Sequence, residues 1–267
     1  MTTQNKQGLE NLFAEAKDDG VLGALSQQIL MTNVSPTVIA GANGKAAEEI
    51  DATDITLVTA VIDNSYSIRI SGLVDAVMQG QNEMLQAMRN SKQEDGLLLA
   101  QWKLGSESEL VHSYVPVSEA LVFNTSNYDP QSGTALYDVW MDALSSNVAY
   151  AQTLAGTGTQ VTSVAILITD GQDEHSSKYL ARDCRALAMD LLQSETFHLA
   201  FIGVGEKRRF CTVAEEMGFP DSSVLVASAT ASEIRRAINL ASQSIIRASQ
   251  GLIQPGLNGG FFQMGSP

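Results

Sequence analysis

From residue 55 onward the apolar positions fall into two kinds of run. The first is short, continuous and β-branched: ITLVTAVID at 55–63, VTSVAILITD at 161–170, FHLAFIGVG at 197–205 and the brief SVLVA at 223–227. Such runs predict strands covered on both faces. The second kind spaces its apolar residues three and four apart, as helices do. Ile70, Leu73, Val74, Val77, Met84, Leu85 and Met88 predict a helix over 68–88, and further helices are expected over 135–154, 178–193, 208–217 and 231–247. GLLLAQWKL (96–104) and ELVHSYVPV (109–117), parted by a polar Gly-Ser turn, predict a hairpin. Alternating strands and helices give an α/β fold: a doubly wound, mostly parallel sheet of about six strands with helices on both faces. The hairpin supplies an antiparallel edge.

Residues 1–54 have a different texture. Leu9, Leu12, Phe13 and Ala16, then Leu22, Leu25 and Leu30 beyond a DDG break, predict two short amphipathic helices. Residues 32–54 carry one β-branched burst, Thr37-Val38-Ile39, which fits either a hairpin or an arm packed on the main domain. The chain is therefore expected to divide into a helical and irregular extension (1–54), an α/β domain (55–249) and a loose Gly- and Pro-rich tail (250–267), which Phe261 and Phe262 would anchor.

Charge narrows the function classes. The 267 residues include 16 Lys and Arg against 30 Asp and Glu, a net charge of −14. That balance argues against nucleic acid, whose binding needs a basic footprint, and against docking on anionic lipid. There is no continuous apolar run long enough for a membrane span, and the first residues lack the order of a secretory signal, so a cytoplasmic location is expected. Cys184 and Cys211 are too few for a disulfide framework and are expected as reduced thiols.

Ligands of open doubly wound sheets bind beyond the carboxyl ends of the strands. Three polar clusters fall at such positions. The strand at 55–63 runs into Asp63-Asn64-Ser65-Tyr66-Ser67, the strand at 161–170 into Thr169-Asp170-Gly171, and Ser132-Gly133-Thr134 opens the long helix at 135–154. Two carboxylates and three hydroxyls would thus converge as hard oxygen donors. Such a set suits Mg²⁺ first, with Mn²⁺ or Ca²⁺ also accommodated, and not zinc or copper. Not all five can bind a small octahedral cation directly, so some would act through water and one position would stay open for an outside anion.

Asp63, Ser65 and Ser67 after a buried strand, Thr134 in a Gly-Thr loop and Asp170 at a later strand end together resemble the von Willebrand factor A domain and its metal-ion-dependent adhesion site, D-x-S-x-S…T…D. The resemblance covers residues 55–247. It implies that Ser65, Ser67 and, with a partner bound, Thr134 are direct ligands, while Asp63 and Asp170 act through water. Tyr66 stands where that family often has Gly, which would place an aromatic ring at the metal mouth. The stretch TASEIRRAINLASQSIIRASQ (230–250) is similar to the last helix of intracellular bacterial proteins of this family, including those associated with tellurite resistance.

The function that follows is a non-enzymatic binding module whose cation captures an Asp or Glu of a partner protein. Tyr66, Asp173, Glu174 and His175 are candidates for the partner-facing rim, although acids near a helix start are favoured there in any case. Two alternatives stay open: a metal-assisted hydrolase, or a regulatory subunit of a separate ring ATPase. The chain has no G-x-x-x-x-G-K-[ST] of its own, and the G-V-G at 203–205 does not complete a dinucleotide fingerprint. His112, His175 and His198 share no ligand spacing, Asp129 and Asp138 read as a solvated face, and Lys207-Arg208-Arg209 reads as a solvated turn. A charge of −14 would repel an acidic partner at long range, so binding is expected to tighten as salt rises from very low values.

Overall fold

A computed structural model of the chain describes residues 3–257 and 260–262. The apolar runs become six strands: β1 (Asp54–Asp63), β2 (Leu97–Leu104), β3 (Ser108–Pro116), β4 (Gln160–Thr169), β5 (Phe197–Val204) and β6 (Val224–Ala227). They form one sheet in the order β3-β2-β1-β4-β5-β6. All neighbours are parallel except β2 and β3, whose antiparallel pairing is interrupted by register shifts. Nine of the ten residues of β1 are buried, as a central strand covered on both faces requires.

Alternate residues of β1 feed two cores. Ile55, Leu57 and Val61 pack beneath α6 (Leu136–Ala155), α7 (Ala181–Gln193) and α8 (Lys207–Glu216). Val58, Ala60 and Ile62 pack beneath α5 (Val74–Arg89) and α9 (Ala231–Ser249). Gly80 of α5 lets α9 approach closely, because a Cβ there would meet Ile238 Cδ1 at 2.7 Å.

The helix expected over 68–88 is two helices. α4 (Tyr66–Ile70) ends at Gly72, whose φ of 67° suits glycine, and α5 begins at Val74. The helix expected from 178 starts instead at Ala181, because the N–H groups of Ser177, Lys178 and Tyr179 are spent on the carboxylate of Asp138.

Among the described residues, the first fifty hold three α-helices, α1 (Thr3–Asp18), α2 (Ala24–Thr32) and α3 (Pro36–Gly41), and a 3-10 turn at Ala47–Glu49. The β-branched burst at 37–39 is helical because Ser35 caps the Val38 N–H at 3.1 Å and Pro36 sits in the first turn. These helices bury Phe13, Leu30 and Val38 in the same core as α6. Consequently α6 is sandwiched, with 16 of its 20 residues buried. Asn147 of α6 joins β1 to β4 internally, donating to Thr59 at 2.9 Å and accepting from Ser163 at 2.7 Å. In the tail, Phe261 is buried with its ring 5.9 Å from that of His198, while residues 258–259 and 263–267 lie outside the described residues. Cys184 is buried, Cys211 is exposed, and neither is bridged. No helix among the described residues is long and apolar enough to cross a membrane.

Candidate metal centre

In this strand order the chain reverses direction of growth between β1 and β4, the position where doubly wound sheets open a crevice. Ile62 pairs with Ile168, so Asp63 and Thr169 leave the sheet side by side. Asp63 is 1% exposed and works as a bracket. Its Oδ1 accepts the N–H of Ser65 at 2.8 Å, and its Oδ2 accepts the Thr169 hydroxyl at 2.6 Å and the Asp170 N–H at 3.3 Å. That bracket turns both serines toward β4. The hydroxyls of Ser65 and Ser67 lie 2.7 Å apart, and Ser67 donates to Asp170 Oδ1 at 2.6 Å.

Thr134 arrives from a third loop. Ser65 and Ser132 form an isolated parallel bridge, in which Tyr66 N–H donates to the Ser132 carbonyl at 2.8 Å. Thr134 itself is buried, and its Oγ1 would stand 3.1 Å from a Cβ at position 171. Gly171 therefore leaves room for the threonine beside Asp170. All five residues singled out as ligands, Asp63, Ser65, Ser67, Thr134 and Asp170, belong to these three adjoining loops.

The electrostatics are unbalanced. Burial raises the Asp63 carboxyl above its ordinary range, against hydrogen bonds that favour its ionised form. Asp170 is pushed up to about 6, by burial first and by the neighbouring Asp63 charge as well, against the hydrogen bond from Ser67. Tyr128, whose hydroxyl donates to the Asp63 carbonyl at 2.6 Å, is pushed far up by burial and by both carboxylates. A cation here would relieve all three.

The donors fit one. Adjacent ligands of an octahedral ion at about 2.1 Å stand about 3 Å apart. The two serine oxygens, at 2.7 Å, are near that spacing. No group of three or more His, Cys, Asp or Glu able to hold a metal occurs among the described residues, so a cation here would depend on the hydroxyls.

The rim residues separate into two groups. Tyr66, which lies between the two serines in sequence, is 54% exposed. Asp173 accepts the Tyr137 N–H at 3.4 Å, and the N–H groups of Glu174 and His175 both donate to the Thr134 carbonyl, at 2.9 and 3.0 Å. The His175 ring covers Gly133, where a Cβ would meet its Cε1 at 2.3 Å, and its Nδ1 accepts the Thr134 N–H at 3.3 Å. These three positions brace the threonine loop.

Of three further contributors, the sequence does not single out Tyr128, marks Thr169 only as part of the strand-end cluster, and suggests a solvated face for Asp138. Asp138 is buried, not on a solvated face, and fixes the loop that carries His175. Nothing in the sequence marks that burial, because Asp138, Asp142, Ser145 and Gln152 recur at helical spacing as a solvated face would. Asp129, by contrast, is an exposed partner of Arg69.

No protein-family model and no curated protein sequence matches the chain. Solved structures do. The pilus adhesin SpaC from Lactobacillus rhamnosus GG, in its open conformation, aligns with a TM-score of 0.51 at 12% identity, over 74% of this chain and 30% of the adhesin. The chain thus spans under a third of that protein's length. Proximal thread matrix protein 1 from the mussel byssus, with a zinc-occupied MIDAS motif, aligns at a TM-score of 0.48 and 16% identity, over 75% of this chain and 47% of its own. The SpRpn10 VWA domain aligns at 0.48 and 11% identity, over 69% of this chain and 94% of its own. At these identities the likeness is one of fold. That fold is a doubly wound, mostly parallel α/β sheet.

Proposed function

We propose that the chain is a non-enzymatic binding module in which a divalent cation, Mg²⁺ in the first instance, joins Ser65, Ser67, Thr134, Asp63 and Asp170 to an Asp or Glu of a partner protein. The observation that carries this reading is the pair of adjoining carboxylates, Asp63 buried and Asp170 half-buried, set against serine hydroxyls 2.7 Å apart, with Ser67 donating to Asp170 and both carboxyls raised. When bound, the cation supplies a Lewis-acidic position that attracts one further anion. The chain's own residues do the rest. Asp63 holds the Ser65 backbone, Thr169 and Asp170 in place, and Ser67 orients Asp170. Hydroxyl donors add no charge and the two carboxylates formally balance the dication, so one further anion would be drawn by the open coordination position and not by leftover charge. His175 favours binding over hydrolysis: its Nδ1 is engaged by the Thr134 N–H and is not free to take a proton from water. The aromatic ring of Tyr66, exposed and next to both serines in sequence, offers contact area to the partner.

Calorimetry with Mg²⁺ tests the reading. One site is expected, abolished by chelator, with Ser65→Ala weakening it about tenfold through the loss of one direct oxygen donor. Tyr66→Gly should leave Mg²⁺ affinity within about twofold and weaken capture of a Glu-containing peptide more than that. Equal Mg²⁺ affinity in wild type and Ser65→Ala, with the fold intact, would place the cation elsewhere.

A further inference from the structure

Next to this anionic site stands the one run of three consecutive cations in the chain, Lys207-Arg208-Arg209. The register brings it there. Thr169 pairs with Gly203, so Asp170 leaves the sheet beside Val204, and Gly205, at φ 135°, turns the chain directly into α8. All three side chains are exposed. Among the described residues none of them is in an ion pair. The Arg209 guanidinium lies over its neighbour Phe210, 5.3 Å from the ring centroid. Its charge also reaches Asp170, whose ionised form it favours. Glu206, exposed at the start of α8, offsets one of the three charges.

In a protein with a net charge of −14, three of the sixteen Lys and Arg thus stand side by side, outside any ion pair among the described residues. They adjoin the position where an outside carboxylate would meet the cation. We propose that the partner segment is a run of acidic residues: one carboxylate takes the cation, and the carboxylates that follow it lie along Lys207, Arg208 and Arg209. The inference rests on the cation-bridge reading for its first contact and on the basic cluster for the rest. It also reverses the salt dependence expected from net charge. Within a Debye length of about 8–10 Å the partner senses the local cluster more than the distant acids, so added salt weakens binding.

The test uses the full chain and labelled hexaglutamate, with a peptide carrying one Glu among glycines as its control. In Mg²⁺, hexaglutamate should bind about tenfold more tightly than the control, as two or three exposed ion pairs of about 0.5 kcal/mol each would give. The triple variant Lys207→Gln, Arg208→Gln, Arg209→Gln should remove that advantage and leave the control peptide unchanged. Its Mg²⁺ affinity should be equal or tighter, because a positive charge near Asp170 is gone. Raising salt from about 50 to about 300 mM should weaken hexaglutamate in wild type only.

Undiminished hexaglutamate binding by the triple variant would overturn the proposal and leave the cation bridge standing. Loss of Mg²⁺ affinity in parallel with hexaglutamate would also overturn it, by assigning the cluster to the integrity of the site. A thymidine oligonucleotide bound as tightly as hexaglutamate would transfer the surface to nucleic acid and overturn it too. Conversely, control-peptide binding that ignores chelator would refute the bridge, while hexaglutamate binding in chelator that the triple variant abolishes would uphold the cluster.

Discussion

Asp170→Asn is expected to make the cation-free protein more stable at about pH 7.5 and to weaken Mg²⁺ binding at least 30-fold. Both effects come from one charge. The Asp170 carboxyl is raised to about 6, chiefly by burial and further by Asp63, so its ionisation is disfavoured in the fold. In the unfolded chain the same group ionises near its ordinary value of about 3.9. The folded state therefore binds more protons between those values, and the contribution of Asp170 to stability falls as pH rises from about 4 to about 6. Above that window the full cost stands. Asparagine keeps an oxygen to accept from Ser67, as Asp170 does at 2.6 Å, and carries no charge. After discount for its partial exposure, the gain is about 1 kcal/mol at pH 7.5 and vanishes near pH 4.

The loss of affinity follows from Coulomb's law. A unit charge about 4 Å from a dication is worth about 2 kcal/mol even at the dielectric of water, or about 30-fold, and more in a buried site. In wild type the same linkage makes the Mg²⁺-induced rise in melting temperature larger at about pH 7.5 than at about pH 5, where protons compete for Asp170. Thermal unfolding across pH, with and without Mg²⁺, reads every part of this. A variant that loses stability at neutral pH and keeps its Mg²⁺ response would show that Asp170 serves the fold and not a cation.

The sheet was legible because its central strands are written without ambiguity. ITLVTAVID and VTSVAILITD are too continuously apolar for a one-sided element, and each ends in the polar residues that leave the sheet at the crevice. That Asp63, Ser65, Ser67 and Asp170 come together could be read for the same reason, since they follow the ends of two neighbouring strands, whereas Thr134 reaches them from the loop that opens α6. What stayed hidden was set by contacts distant in sequence. Tyr128 reaches a backbone carbonyl 65 positions away, and Asp138 collects an N–H 41 positions away. The break between α4 and α5 was masked because apolar spacing continues on both sides of Gly72. Thr37-Val38-Ile39 has strand composition, but the cap at Ser35 and Pro36 is local and dominates over three residues.

Gly41→Val is expected to cost the protein about 3 kcal/mol, lowering its melting temperature by roughly 6–10 °C, and to leave Mg²⁺ affinity below that temperature unchanged. Gly41 closes α3 against the main domain, where an added Cβ would stand 2.4 Å from Trp102 Cζ2 and 2.5 Å from Ser146 Oγ. Neither neighbour has room to yield. Trp102 is fully buried, and the Ser146 hydroxyl is tied to the carbonyls of Val38 at 3.0 Å and Asp142 at 2.9 Å. The valine must therefore push α3 off α6 and expose Val38 with it. Gly8→Ala supplies the opposite sign within the same segment. Gly8 lies inside α1 with nothing within 4 Å of a Cβ, so alanine should add about 0.5–1 kcal/mol through helix propensity. Both changes register in global unfolding only if residues 3–41 melt together with the sheet. A detachable extension would shed α3 at little cost, and Gly41→Val would then shift the main transition by less than about 0.5 kcal/mol. The burial of Phe13, Leu30 and Val38 in the core shared with α6 argues for one cooperative unit.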